Sequence, residues 1–157
     1  MNCVVAAIYC DDIRYEMGGK ATLVGVYSGQ LIVPKFPAKL SKLCIYATVV
    51  IPIEMVVQGP AYARVLRRDE VVSEVEMDLS SRQTNLKLHP SLDEPARFHR
   101  LVFAIVNSEV EFTGPTIYRF AAFINGQEIR GTALAVVAAD APVDTGKPKV
   151  LSSAIRQ

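Results

Sequence analysis

The chain has 157 residues and a net charge of +1, from 17 basic and 16 acidic side chains. It lacks the basic excess that nucleic-acid binding requires, and with half its residues hydrophobic it is too apolar to stay disordered. The start of the chain lacks the basic segment of a signal peptide, and no stretch approaches the roughly 18 apolar residues of a membrane span. We therefore expect a cytoplasmic protein with one domain and no membrane span.

Three cysteines lie in or beside apolar runs, at Cys3, Cys10 and Cys44. Their odd number and the absence of a C-x-x-C spacing fit neither a disulfide framework nor a zinc ribbon. We predict that all three are buried, unpaired thiols, as is usual in a reducing compartment.

Short apolar runs separated by turn residues predict β-strands through the first half of the chain. The predicted strands are 3–10, 21–27, 31–33 and 43–51. The first and last are almost entirely apolar, which is typical of central strands buried on both faces. Pro34 and Pro37 predict a crossover between two sheets, because such a pair cannot lie in a central strand. We expect one helical turn over 38–42.

The second half continues the strand pattern, at 61–67, 71–79, 98–106, 118–124 and 128–137. Period-two alternation in 71–79 predicts a strand with one face in the core and one in water. The predicted core face consists of Val71, Ser73, Val75, Met77 and Leu79. Asn125-Gly126 favours a two-residue hairpin turn between the last two strands, and 80–96 reads as a long polar loop.

Eight or nine short strands without a helical stripe predict an all-β fold. Strands that look buried on both faces favour a two-sheet antiparallel β-sandwich, immunoglobulin-like or C2-like with little helix, over a small closed barrel. The segment from Gly114-Pro115 to Tyr118 is similar to the closing hairpin of immunoglobulin-like sandwiches. We predict one sandwich domain over 1–139 and a flexible C-terminal tail over 140–157.

The opening third carries a recognisable pattern. It reads C-D-D-I-R-Y-E at 10–16, G-G-K at 18–20, T-L-V-G-V-Y at 22–27, I-V-P-K-F-P at 32–37 and K-L-C at 42–44. This pattern resembles an uncharacterised bacterial family described as a domain of unknown function. The resemblance implies a bacterial origin and a β-rich single domain, and it brings no activity, cofactor or catalytic residue.

The densest charges stand between two apolar strands, at Asp11, Asp12, Arg14 and Glu16. We expect them in a loop or at a strand end, before a turn at Gly18-Gly19. Two explanations stay open. The four residues form a binding surface, or Arg14 forms a structural ion pair that fixes how the first two strands leave the sheet.

Motifs for catalysis are absent from the sequence. His89 and His99 are the only histidines, and no G-x-S-x-G accompanies them. A Cys–His pair with Cys10 or Cys44 stays an alternative, because sequence supplies no geometry. We predict no catalytic residue and no cofactor.

A metal site has one weak sequence basis. Calcium-binding sandwiches collect aspartates from several loops, so Asp11 and Asp12 could meet Asp140 and Asp144. The alternative is that the first pair caps a turn, and we predict no metal.

These observations favour a non-catalytic binding or assembly module of a bacterial cell that contacts a protein partner or itself. A small enzyme with an unrecognised site and a calcium-dependent binding domain are the alternatives. Residues 133–139 carry neither charge nor proline, so an exposed edge there predicts self-association. The opposing possibility is an interior strand paired on both sides.

Overall fold

The computed structural model describes residues 2–79, 95 and 97–139, which form ten β-strands. Their bounds are β1 Val4–Cys10, β2 Asp12–Glu16, β3 Lys20–Val24, β4 Gln30–Val33, β5 Ala38–Pro52, β6 Tyr62–Arg67, β7 Glu70–Glu76, β8 Phe98–Phe112, β9 Thr116–Ile124 and β10 Gln127–Ala138. These residues include no helix, and so none that could cross a membrane. The predicted tail over 140–157 and all of the predicted loop except Pro95 lie outside the described residues.

Two sheets face each other, and a separate hairpin stands beside them. The three-stranded sheet has the order β1-β5-β8, and the five-stranded sheet has the order β4-β10-β9-β6-β7. The hairpin is β2-β3. The ladders within the two sheets are antiparallel, except that β4 runs parallel to β10. The predicted all-β sandwich is confirmed, with one parallel edge strand.

The connection between β4 and β5 carries the chain from the five-stranded sheet to the three-stranded sheet. This confirms the crossover predicted at Pro34 and Pro37. The helical turn predicted over 38–42 is wrong, because these residues begin β5 and pair with the end of β8, Ala38 opposite Phe112. Pairing with a long neighbouring strand overrides the weak local preference.

The core lies between the two sheets. Alternate residues of β5 point into it and are fully buried, namely Leu43, Ile45, Ala47, Val49 and Ile51. Aromatic rings from both sheets meet there, with the ring centroid of Phe103 on β8 lying 5.6 Å from that of Phe120 on β9. The three cysteines are buried and form no disulfide, as predicted.

A bulge in β10 links the two sheets along one long side of the sandwich, where β1 approaches the five-stranded sheet. The register of β10 against β9 slips at Gly131 and Thr132. The Tyr9 hydroxyl donates to the Thr132 carbonyl oxygen at 2.9 Å and accepts the Phe120 N–H at 3.0 Å. The Thr132 hydroxyl accepts the Ala7 N–H at 3.0 Å and donates to the Ala7 carbonyl. We call this set of contacts the seam.

Strand β7 is far more exposed than its sequence pattern predicts. It forms the edge of the five-stranded sheet, where the narrower three-stranded sheet does not cover it. The predicted core residues that it leaves exposed are Val71, Ser73 and Val75. Only residues beyond its end reach the core, with Met77 buried and Leu79 half-buried. The half-buried strand predicted over 71–79 is therefore wrong for most of its length.

The uncharged run 133–139 is an interior strand and not an edge. It lies on β10 between β9 and β4, and both Leu134 and Val136 are fully buried. The parallel strand β4 covers the side that the sequence leaves unguarded, through pairs such as Val136 with Leu31. The predicted self-association through this edge is therefore wrong.

Candidate functional site

The outward side of the three-stranded sheet is almost entirely apolar. The ladders place its residues in rows across the sheet, such as Ile8, Tyr46 and Ala104. We define the outer face as Val4, Ala6 and Ile8 of β1, Tyr46, Thr48 and Val50 of β5, and Phe98, Arg100, Val102, Ala104 and Val106 of β8. Because β1, β5 and β8 also carry apolar residues on the core side, the segments 4–10, 43–52 and 101–106 are apolar at nearly every position.

Large side chains of the outer face are open to solvent on both flanking strands. Val4 and Val106 are 58% and 56% exposed, and Val102 is 47% exposed. Tyr46, Thr48 and Val50 in the middle are half-buried. The prediction that β1 is a central strand buried on both faces is thus wrong, since β1 lies at the edge of the three-stranded sheet with one face uncovered.

The area of the outer face is comparable with that of the largest apolar patch on a typical monomer. Strands about 4.8 Å apart that rise about 3.4 Å per residue give roughly 340 Å² for the seven rows shared by all three strands. Patches of roughly 300–600 Å² are the largest that typical monomers expose, and they are often functional.

The opposite side of the sandwich also exposes apolar residues, among them Ile32, Val72 and Ile117, but they stand among ion pairs. On the outward side of the five-stranded sheet, Arg64 lies over the ring of Phe123 at 4.6 Å and pairs with Glu74 at 2.5 Å. Arg130 pairs with Glu128 at 2.7 Å. These basic residues are held in ion pairs, whereas Arg100 is the single charge of the outer face.

The charged segment predicted as a binding site lies at the base of the β2-β3 hairpin, which we call the arm. Asp11 stands in the bend before β2, while Asp12, Arg14 and Glu16 alternate along it. The expectation of a loop or strand end holds for Asp11 in the bend and for Asp12 and Glu16, which begin and end β2, and it is wrong for Arg14 at the centre of the strand. Strand alternation puts Asp12, Arg14 and Glu16 on one face of the arm, opposite Ile13 and Tyr15.

The structure gives Asp11, Asp12, Arg14 and Glu16 each a partner within the chain. Lys42 of β5 donates to the Asp12 carboxylate, and Arg14 lies 3.4 Å from the same group. The Tyr27 hydroxyl donates to Asp11, and the Thr22 hydroxyl donates to Glu16. The predicted ion pair of Arg14 thus exists, but its side chain is 67% exposed. Sequence reasoning missed Lys42, the residue that fastens the arm to the sheet.

The same contacts shift pKa values at the junction between arm and sheet. The ammonium group of Lys42, followed by Arg14, lowers the pKa of Asp12, and the Asp12 carboxylate raises the pKa of Lys42. Burial raises the pKa of the Cys10 and Cys44 thiols, which are cross-strand neighbours. Both thiols therefore stay protonated at neutral pH, the form that is poorly nucleophilic.

The chain matches a known family over most of its length. Residues 5–137 match the family DUF6941. The chain belongs to DUF6941, a family of unknown function. The match includes the arm and the seam, and it confirms the resemblance to a domain of unknown function drawn from the opening pattern. No curated protein and no solved structure matches the chain.

Apart from the outer face, the DUF6941 chain has an apolar cleft of about 850 Å³ at one end of the sheets. Met55, Val57, Met77 and Leu79 line its wall, and His99 stands at its border. His99 pairs with Ile51 across the ladder, seven residues along β5 from Cys44 and so roughly 23 Å away. The Cys–His alternative is thereby wrong for His99 with Cys44, while His89 lies outside the described residues.

Metal binding has no support among the described residues of the DUF6941 chain. No three His, Cys, Asp or Glu side chains come together there in a way that could hold a metal ion. In the calcium hypothesis, Asp11 and Asp12 already bond Tyr27 and Lys42. Its other two ligands, at 140 and 144, lie outside the described part of the chain.

Proposed function

We propose that this protein is a non-catalytic binding module of the bacterial cytoplasm whose contact surface is the outer face. The observation that carries the proposal is the contrast between the two outward sides of the sandwich. The outward side of the five-stranded sheet carries ion pairs. The outer face presents Val4, Ile8, Val102 and Val106 around a half-buried apolar centre. Leaving such a patch in water is unfavourable, and a partner surface that covers it recovers roughly 25 cal/mol for each Å² of apolar area.

The shape of the surface favours a protein as the ligand. Small molecules are usually bound in concave sites, whereas the outer face is the pleated surface of a sheet. Its polarity pattern also resembles a protein interface, with an apolar centre and charge confined to the border. The absence of a disulfide among the three buried cysteines supports a reducing compartment, and the opening pattern supports a bacterial origin.

The arm extends this surface with charge. Lys42 lies on β5 two residues before Cys44, so it places Asp12 and Arg14 at one end of the outer face. Arg14 and Glu16 are exposed there. In the proposed interface Asp11 and Asp12 hold the arm in place, while Arg14 and Glu16 act on partner choice and association rate, as border charges typically do.

The alternatives have less support. An enzyme would have the apolar cleft as its site, and a calcium-dependent module would need ligands that the arm has already engaged. The outer face requires neither a catalytic group nor a metal.

Site-specific photocrosslinking in the native host tests the proposal. A photoreactive residue at Val102 should give an adduct with a protein, whereas one at Val71, an equally exposed valine on β7, should not. The two positions are matched at 47% and 45% exposure. Mass spectrometry of the adduct identifies what covers the face. Absence of an adduct at Val102, or equal labelling at both positions, would show that the outer face is not the contact surface.

A further inference from the structure

We propose that the apolar cleft at the end of the sheets binds a small apolar molecule that carries a positive charge, such as an aliphatic or aromatic amine. None of the described residues that line the cleft belongs to the outer face, so this site is independent of the proposed function. Its size, its fixed wall and the charge at its border together define the ligand.

The cleft has the size and the composition of a small-molecule site. Its volume of about 850 Å³ lies within the range of roughly 300–1,000 Å³ that such sites occupy. Its wall is mainly apolar, and two of its side chains, Met55 and Met77, come from separate segments of the chain. Methionine side chains are flexible and adapt to ligands of different shape. The wall therefore favours an aliphatic or aromatic group without requiring one particular outline.

Hydrogen bonds hold the wall of the cleft in place. The Asn125 side chain, in the turn of the closing hairpin, donates to the Val56 carbonyl at 2.8 Å and accepts the Gln58 N–H at 2.7 Å. The Met77 N–H donates to the Ala61 carbonyl at 2.8 Å. Two of the segments that form the cleft are thus fixed before any ligand arrives. A ligand that enters a preformed site binds more tightly, because little of the protein has to be ordered.

The charge at the border of the cleft is negative. Its described lining residues include three exposed carboxylates, Glu54, Glu76 and Asp78, and neither lysine nor arginine. Among the described residues, Glu54 and Glu76 form no ion pair. Of the basic residues at this end of β8, Arg100 lies on the outer face and Arg97 stands outside the lining. A cationic group on the ligand would therefore meet opposite charge at the border, whereas an anionic group would meet like charge.

Binding of octylammonium, octanol and octanoate to the full chain tests the proposal. The three probes share an eight-carbon chain and differ in charge. Methyl ¹³C labels on the four methionines report where each probe binds, because Met55 and Met77 line the cleft and Met17 is a 95% exposed residue of the arm. Octylammonium should shift the NMR signals of Met55 and Met77 with a Kd of about 0.1–1 mM and leave that of Met17 unchanged. Octanoate should bind roughly fivefold more weakly, since its charge is reversed at an exposed border.

Variants test the charge and the shape of the cleft separately. Glu54→Gln combined with Glu76→Gln should weaken octylammonium binding by roughly threefold to tenfold and leave octanol binding unchanged. Glu74→Gln is the matched control, because Glu74 is on the same strand as Glu76 and outside the lining. Val57→Trp fills the cleft and should weaken the binding of all three probes. Circular dichroism confirms that each variant is folded, and Val57→Phe replaces Val57→Trp if that variant is not.

Three results would overturn the inference. The first is that octylammonium leaves the signals of Met55 and Met77 unchanged. The second is equal binding of octylammonium and octanoate, which would mean that the border carboxylates do not select the ligand. The third is a photoreactive residue at Val57 that captures a protein in the native host, because the occupant would then be a protein segment. Crosslinking at Val102 decides the proposed function by itself, so each proposal can fail without the other.

Discussion

Replacing Tyr9 by Phe removes one oxygen atom from the seam and leaves the ring in place. That oxygen lies in the core, where the tyrosine is 3% exposed, and its two shortest hydrogen bonds join backbone groups of the opposite sheet. Both groups lie where the bulge in β10 interrupts the ladder, at Phe120 and Thr132. Their regular sheet partners are displaced, so the hydroxyl takes the place of a missing backbone partner.

The structure gives a magnitude for the loss. In Tyr9→Phe the Phe120 N–H and the Thr132 carbonyl each lose a buried partner, and an unsatisfied buried group costs about 1–3 kcal/mol. We expect unfolding to become easier by about 2–4 kcal/mol in total, since the bulge relaxes in part. For a domain of this size that corresponds to a fall in Tm of about 5–15 °C.

Differential scanning calorimetry at neutral pH measures the change, with Tyr15→Phe as the control. Tyr15 is an exposed residue of the arm, so loss of its hydroxyl should leave the Tm within about 1 °C, as is usual for surface changes. If Tyr9→Phe melts no lower than the control, the hydroxyl does not substitute for the ladder and the reasoning about the bulge is wrong.

The pH dependence of the same variant is a second measurement. Burial raises the pKa of Tyr9 to about 12, above its ordinary value of 10.0. A raised pKa means that the stabilisation is complete below pH 10 and is lost as the pH rises toward 12. The Tm of the parent chain should therefore fall more steeply over this interval than that of Tyr9→Phe. Equal slopes would contradict the assignment.

The junction of arm and sheet gives three further predictions. Asp12→Asn removes a carboxyl group whose pKa is lowered in the folded chain. Such a group contributes stability that is lost as the pH falls below 3.8, so acid should lower the Tm of the parent chain more than that of the variant. Parallel curves of Tm against pH would refute this. Gly25→Ala should destabilise by roughly 1–3 kcal/mol in denaturant unfolding, because φ is 65° and a Cβ would lie 2.0 Å from a carboxylate oxygen; an unchanged midpoint would contradict this. Cys10 and Cys44 should resist a thiol reagent at pH 8 until the chain unfolds, and rapid labelling of either in the native state would show that they are not buried.

Features that depend on a few neighbouring residues were predictable from the sequence. Pro34 and Pro37 indicated the crossover, and Asn125-Gly126 indicated the closing hairpin, since both act through local backbone geometry. The errors concern which strands lie side by side. The run 133–139 was predicted to be an exposed edge. In the structure a parallel strand from residues 30–33 covers it, and no local sequence pattern encodes that pairing.

The site was predictable in part, for the same reason. The charges between Asp11 and Glu16 stood out, but their principal partner, Lys42, lies about thirty residues along the chain and was invisible without the ladder between β1 and β5. The outer face did leave a signal, the almost entirely apolar runs 3–10 and 43–51. Such runs indicate that both faces of a strand are apolar, but they do not show whether the protein itself covers both faces.

The seam makes the two long sides of the sandwich mechanically unequal. On one side Tyr9 and Thr132 tie the sheets together, and on the other, within the described residues, no backbone ladder links β7 to β8. Thermal opening of the sandwich should therefore start away from the seam, because local unfolding starts where the fewest contacts must break. A partner bound on β8 would contact the edge of the three-stranded sheet that lies away from the seam.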